Sequence, residues 1–350
     1  MEKGKGGETE QRKGSLETGG VISTGLNRSR YVFFKGGAMR AIFMGTPGYA
    51  IPALEALLNS ECRVVGVYVA PDKRGGRGLK WTVPPVKRFA LKYGLEIKQP
   101  ASLRGAEEQE QIVALKPDIV VVAAYGLIVP PSILAVAEHG FLNIHPSLLP
   151  KHRGPSPVAT AILQGDQQTG ATIMLLNEQV DGGPIIRQEV TDIDDDDTTE
   201  VLTDKLFFIG AQMLSDVLPE WLRGDITPVP QDERDASMTR KLVKQDGEIS
   251  WRKSAREIQQ MVKAFHPWPG CFTKWEGRRI KIVESAPIAL KMDEKIGTVV
   301  QLEKFGIAAG ITTGEGVLGL KALQLEGGLP TNVAAFLRGH PSFLGASMES

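Results

Sequence analysis

A continuous apolar run, Ile-Val-Val-Val-Ala-Ala over positions 119–124, limits the possible fold more than any other stretch. A strand with one face in water alternates apolar and polar residues. A β-branched run without alternation belongs to a strand covered on both faces, and such strands lie at the centre of parallel sheets flanked by helices. Tyr125-Gly126 ends the run and opens a loop. Upstream, residues 40–44 form another short apolar run. Gly45-Thr-Pro47 follows, then a helical pattern with Leu54, Leu57 and Leu58 on one face, then a strand over 62–69. Strand, helix, strand implies parallel pairing through a right-handed crossover. The first turn lacks the G-x-G-x-x-G spacing, so a dinucleotide cofactor is poorly supported.

The same pattern continues. Helices are expected over 83–93, 107–115, 131–138 and 157–164, and strands over 96–98, 171–177 and 185–190. An amphipathic helix over 199–222 closes the unit, with a threonine of Thr198-Thr-Glu200 as its cap. Residues 225–243 are polar, hold two prolines and read as a linker. Beyond them come a helix over 255–265 and short, glycine-punctuated strands over 271–275, 279–284, 296–301, 306–312 and 317–325. That pattern suggests a small β-barrel. The expected architecture is therefore an α/β domain with a parallel-rich sheet over 39–224, the linker, and a smaller barrel domain over 244–350. Two domains suit a chain of 350 residues. Residues 1–38 are rich in Gly, Lys, Glu, Ser and Thr and read as a disordered extension. The glycine codons of Lys35-Gly-Gly-Ala38 can spell a ribosome-binding site, which would make Met39 the true start.

Composition excludes several classes. Hydrophobic residues are 42% and charged residues 23%, ordinary for a globular protein, and no apolar run approaches the ~20 residues of a membrane helix. Cys62 and Cys271 show no metal spacing, and no secretory pattern is present, so a cytoplasmic home and no metal are expected. The net charge is zero, but residues 71–98 hold eight Lys/Arg against two acids and residues 238–282 hold eleven against four. Charge alone reads more readily as solvated surface than as a polyanion site. The glycine-rich loop with Lys73, Arg74, Arg77 and Lys80 beside Trp81 could clamp a phosphate backbone or simply be a mobile surface loop.

Catalytic chemistry is best placed on Asn143, His145 and Asp181. Asn143 and His145 are two apart on a short strand, so they project to one side, and the prolines that follow force the chain out of the sheet. A neutral amide donor suits a developing oxyanion, and a histidine can donate to the same oxygen or move a proton. Asp181, in a glycine-rich turn, could orient the imidazole or assist proton removal from an amine. The set fits direct acyl transfer to an amine, because no serine or cysteine stands in a nucleophile turn.

Several stretches together resemble the folate-dependent formyltransferases. They are Phe43-Met-Gly-Thr-Pro47, Pro71-Asp72 with Gly76-Arg-Gly78, Ala124-Tyr-Gly126, Asn143-Ile-His-Pro-Ser-Leu-Leu-Pro150 with Arg153-Gly154, and Val180-Asp-Gly-Gly183. Asp246-Gly247 with Trp251, Phe265-His-Pro-Trp-Pro-Gly270 and Phe336-Leu-Arg-Gly-His-Pro341 narrow the resemblance to the branch that acts on methionyl-tRNA. The resemblance implies a Rossmann-like formyltransferase domain followed by an OB-like barrel, working as a monomer. It implies 10-formyltetrahydrofolate as co-substrate and the α-amino group of methionine on initiator tRNA as acceptor. Asn143, His145 and Asp181 match the family's catalytic triplet. Tyr125, Gly126, Ser147, Leu148, Leu149 and Pro150 match its folate-contacting segments, and Lys73, Arg74, Arg77 and Lys80 its tRNA-engaging loop. Formyl transfer to a UDP-linked amino sugar is the nearest rival. The chain departs from the family at Gly48, where an acid is usual, at His266, where Asn is commoner, and at Gly327-Gly-Leu-Pro330, which lacks a basic pair.

Overall fold

The apolar run becomes β6 (Ile119–Ala123), every residue of which is buried. The computed structural model describes residues 38–75 and 80–348. The expected disorder and displaced start of residues 1–37 lie outside that range, as does Arg77. The first unit runs β1 (Arg40–Gly45), α1 (Ile51–Leu58), β2 (Arg63–Tyr68), a hairpin of β3 (Lys73–Gly75) and β4 (Lys80–Thr82), α2 (Pro85–Lys92), β5 (Ile97–Lys98), α3 (Ala106–Ala114), β6, α4 (Pro131–Leu134), β7 (Phe141–His145), α5 (Pro157–Gln164), β8 (Gln168–Leu175), β9 (Ile185–Asp192) and α6 (Thr199–Leu222).

Its sheet has the order β5-β2-β1-β6-β7-β8-β9. The first five strands pair in parallel, and β8 and β9 extend the sheet antiparallel. The chain moves outward from β1 to β2 and β5, then returns to lay β6 on the other side of β1. That reversal is the switch point at which open α/β sheets form a crevice, beyond the carboxyl ends of the strands. Arg40 fixes the strand starts. Its N–H donates to the Asp118 carboxylate at 2.6 Å and its guanidinium to the Leu115 carbonyl.

Each face of the sheet has its own core. Val121, Leu142, Ile144 and Ile173 meet α1 and α6 on one side. Ile42, Met44, Val120, Val122 and Phe141 meet Ile112 and Ile133 on the other. The capping threonine of α6 is Thr198, whose hydroxyl accepts from Val201 N–H at 3.3 Å. Two elements of this unit differ from the sequence expectation by three residues or more at a boundary. The helix expected over 131–138 is only the four-residue α4, because Gly140 turns the chain at φ +71° into β7 and the bonds after Leu134 tighten to three-residue spacing. The strand expected over 171–177 starts earlier, at Gln168, where it pairs with Asp192 of β9.

The second unit comprises α7 (Ala255–Ala264), β10 (Cys271–Trp275), β11 (Arg278–Ile288), β12 (Val299–Gln301), β13 (Ala309–Thr312), β14 (Val317–Leu325), β15 (Thr331–Asn332) and α8 (Val333–Gly339). The strands form one antiparallel sheet, β10-β11-β14-β13-β12, curled into a half-barrel, with β15 against β14. The strand expected over 306–312 starts only at Ala309, because Gly306 at φ +71° ends a short turn first. Two family departures fall here. His266 faces Glu200 of α6 at 3.4 Å. The turn after β14 presents Leu329, 81% exposed.

Candidate active site

Three strand ends meet above the switch point. The hydroxyl of Thr46, just past β1, donates to the Tyr125 carbonyl at 3.1 Å and accepts from Ala70 N–H at 3.0 Å. This side chain therefore ties the exits of β1, β2 and β6 together. They line a cleft of ≈ 460 Å³ whose walls include Tyr125, Gly126 and Lys73. Tyr125 is buried and its hydroxyl has no partner among the described residues, and the same holds for Tyr68. Burial pushes the Tyr68 phenol up to about 12 and the Tyr125 phenol higher still. Both remain neutral hydroxyls, free to donate. A larger hollow of ≈ 630 Å³ lies on the half-barrel. Among its lining, Glu284 and Lys321 already pair at 3.1 Å, and it holds no cluster of catalytic groups.

β7 is the next strand along. Val122 of β6 stands opposite Asn143, which places the β7 residues beside the cleft. Leu142 and Ile144 turn to the core under α6, while Phe141 joins the opposite core. Asn143 and His145, with the same parity as Phe141, lie on that second face. Asn143 is 9% exposed, and its amide makes no hydrogen bond among the described residues. Neither amide atom is fully enclosed, so the tip of this mostly buried residue is open to solvent and available to a ligand.

His145 is 4% exposed. Its Nε2 lies 3.0 Å from the His152 carbonyl. A carbonyl can only accept, so Nε2 carries the proton and Nδ1 of the neutral ring is bare. Nδ1 lies 3.7 Å from Oδ2 of Asp181, too far for a direct hydrogen bond. Burial holds the imidazole below its ordinary value, against the opposing pull of Asp181 and the His152 carbonyl, with nearby His152 adding to the depression. The ring is thus neutral at pH 7, with an open nitrogen facing a carboxylate. Asp181 is held in place by Gly154 N–H, which donates to Oδ2 at 2.8 Å.

The structure divides the sequence-predicted ligand contacts. Ser147 and Leu149 point inward. The Ser147 hydroxyl donates to the Lys151 carbonyl at 2.7 Å, and Leu149 N–H donates to Thr172. Leu148 and Pro150 are half-buried and are the pair on the outer side. Tyr125 and Gly126 line the cleft. In the basic hairpin Lys73 and Arg74 are exposed, and the Arg74 guanidinium lies 5.1 Å from the Trp81 ring centre. Lys80 begins β4. At the hairpin base, Asp72 pairs with Lys87 at 2.7 Å. In the half-barrel unit Lys244, Arg252, Arg256 and Lys274 are exposed and have no ion pair among the described residues, whereas Arg240 is paired with Asp246. The structure also assigns site contacts to Thr46, His152, Gln231 and Ser237, for which the sequence indicates no such role. The contacts of Thr46, Gln231 and Ser237 span 24 to 87 positions of sequence and leave no local signal, whereas His152 also bonds His145 and Asp166 at 7 and 14 positions. Among the described residues no group of three or more His, Cys, Asp or Glu could hold a metal, and no helix is long and apolar enough to cross a membrane.

Two family models match the chain: formyl transferase over residues 39–218, and formyl transferase C-terminal domain over 241–341. The methionyl-tRNA formyltransferase of Chloroflexus aurantiacus is 42% identical over 301 residues, covering 86% of this chain and 97% of that protein. That of Dehalococcoides mccartyi is 41% identical over 310 residues, covering 89% and 98%. Among solved structures, an N-formyltransferase from Helicobacter canadensis in complex with folinic acid and dTDP-3-aminofucose shares the fold with a TM-score of 0.61. Its identity is 18%, with 81% of this chain and 99% of that chain covered.

Proposed function

Because the chain belongs to the methionyl-tRNA formyltransferase family, we propose that its site transfers a formyl group from 10-formyltetrahydrofolate to the α-amino group of methionine on initiator tRNA. The observation that supports this most directly is an Asn143 amide, unpartnered among the described residues, on the same strand face as a neutral His145 whose bare Nδ1 faces Asp181. Attack of the amine on the formyl carbon forms a C–N bond and turns the formyl oxygen into an oxyanion. The Asn143 N–H donates to that oxygen, an interaction stronger in the transition state than before it. The attacking nitrogen then carries a surplus proton. His145 Nδ1 takes it, and the imidazolium formed lies beside the Asp181 carboxylate. The same proton passes to N10 of the folate as the C–N10 bond breaks, so tetrahydrofolate leaves neutral at that nitrogen. Histidine thus starts as acceptor and finishes as donor, and Asp181 stabilises the charge between the two steps.

Tyr125, Gly126, Leu148 and Pro150 are the residues proposed to touch the folate. Ser147 and Leu149 shape the wall from behind. Lys73, Arg74, Arg77 and Lys80, with the free cations of the half-barrel, are proposed to meet the tRNA backbone, where guanidinium and ammonium groups neutralise phosphates. The protein would act as a cytoplasmic monomer. The deciding assay offers 10-formyltetrahydrofolate with charged initiator tRNA, charged elongator tRNA and a UDP-amino sugar side by side. Formylation of the initiator alone is expected. Preferential formylation of the sugar would replace this reading with its rival.

A further inference from the structure

His145 and Asp181 lie on two separate segments, and both are braced from behind by a third, residues 229–239, on the way out of the α/β unit. Ser237 makes three hydrogen bonds to the loop after β7. Its N–H donates to the Pro150 carbonyl at 3.2 Å, its hydroxyl accepts from His152 N–H at 2.8 Å, and its carbonyl accepts from Arg153 N–H at 2.9 Å. Gln231 reaches the other segment. Its amide donates to the carbonyls of Asp181 and Gly183 at 2.8 and 2.7 Å, and its oxygen accepts from Arg153 Nε at 2.9 Å. Thr239 and Glu233 add bonds to Arg153. Val229 pairs with Ile185 in both directions.

The braced loop and turn are bent. His152 sits at φ +60° and Asp181 at φ +50°. Side-chain-bearing residues keep such conformations only where their surroundings over-determine them. The strained backbone supplies the two bonds that set the site: the His152 carbonyl fixes which nitrogen of His145 carries the proton, and Gly154 N–H fixes the Asp181 carboxylate.

We infer that Ser237 and Gln231 are positioning residues, which hold the 150–154 loop and the 181–183 turn so that His145 keeps its Nε2–H form with Nδ1 facing Asp181. The inference rests on the proposed reaction only in taking His145 and Asp181 as its working groups. The charged or titratable groups facing the His145 ring are Asp181 and His152, the latter joined to Asp166 at 2.7 Å. A purely structural strap would lower stability when cut and leave the ring state unchanged.

The test compares the full chain with Ser237→Ala, Gln231→Ala, the double variant and Ser237→Thr. With ¹⁵N-histidine labelling, the unmodified chain is expected to show His145 protonated at Nε2 and bare at Nδ1. In the alanine variants the two nitrogen signals should converge as the tautomers mix, and the titration midpoint should rise towards an ordinary histidine as water reaches the ring. With methionyl-tRNA, kcat should fall about 10- to 100-fold in the double variant, with KM for folate and tRNA changed less than about twofold. Ser237→Thr, which restores the accepting hydroxyl, should return both readouts towards the original. Should the double variant fail to fold, the two single variants are read in the same way. An unaltered tautomer signature with a lowered melting temperature would overturn the inference. If the tautomer shifts in a protein that formylates no acceptor, the proposed reaction fails and the positioning role stands.

Discussion

Asn143 is the residue whose surroundings make least sense without a reaction. The residue is mostly buried, yet its amide stays open to solvent and unpaired among the described residues, two positions from a histidine whose proton is already committed elsewhere. Asn143→Ala should therefore lower kcat about 10²- to 10³-fold, the scale for removing one oxyanion donor, while tRNA binding survives in a filter assay. Asp181→Asn acts on the other side of the ring. It should cost about 10²-fold or more in kcat, because the imidazolium loses its counter-charge. The carboxylate raises the His145 value and burial lowers it, so removing the carboxylate leaves burial less opposed. The His145 titration should move to lower pH in Asp181→Asn, as read by ¹⁵N NMR, and a move upward would contradict this account. The sign for stability follows from the same depression. As pH falls through the ordinary value of 6.5 the unfolded chain takes up a proton that the folded ring refuses, so the fold loses stability there. The loss stops growing below the lowered value.

At the scale of elements, the site depends on how β7 ends and what receives it. Gly154 stands at φ +97°, and a Cβ there would lie 2.9 Å from the Thr239 carbonyl oxygen and 3.0 Å from its hydroxyl. Gly154→Ala is accordingly strained and crowded at once. It should lower stability by about 1–3 kcal/mol in urea unfolding and also reduce kcat, since Gly154 N–H is the donor that holds Asp181. Loss of stability with an unchanged kcat would separate the loop from the chemistry. The β7 pair was legible in the sequence because side-chain direction on a strand repeats every second residue, and nothing distant is needed to know it. β6 was legible because burial on both faces removes alternation. The inward turn of Ser147 and Leu149 was not legible, since prolines abolish the period that would have told inner from outer. Residues 225–243 read as a polar linker, because the bonds by which they brace the site go to groups 44 or more positions away, and composition does not encode those partners. Asp181 was visible as an acid in a glycine-rich turn, but its approach to His145 depends on that same distant bracing.

On the scale of the whole molecule, the two sheets are joined by a shared core. Val158 and Ile162 of α5 and Leu202 and Leu206 of α6 belong to the same buried cluster as Ile258 and Val262 of α7, Ile280 of β11 and Trp251. The Thr199 hydroxyl adds a bond to the Ala264 carbonyl at 2.6 Å across the same join. Trp251 is 1% exposed and its indole N–H donates to Thr273 at 3.2 Å, so it is packed and satisfied together. Trp251→Ala removes a large side chain that nothing nearby can replace, and should cost about 3–5 kcal/mol. Because the cluster spans both units, that loss should shift unfolding of the whole molecule and not of the half-barrel alone. Trp221, at the end of α6 and bonded to the His139 carbonyl, reports on the first sheet when its ¹⁹F signal is resolved from the other tryptophans by 5-fluorotryptophan labelling, and far-UV circular dichroism reports on the entire chain. In a urea titration the two probes should give coincident midpoints in the unmodified protein, and both should fall by the same amount in Trp251→Ala. A half-barrel that melts first, leaving the Trp221 signal in place, would mean that the shared cluster does not couple the units. The orientation of the half-barrel's free cations relative to the catalytic cleft would then vary between molecules. Tight coupling instead keeps those cations at a fixed distance from Asn143 and His145, as a site acting on one end of a long polyanion requires.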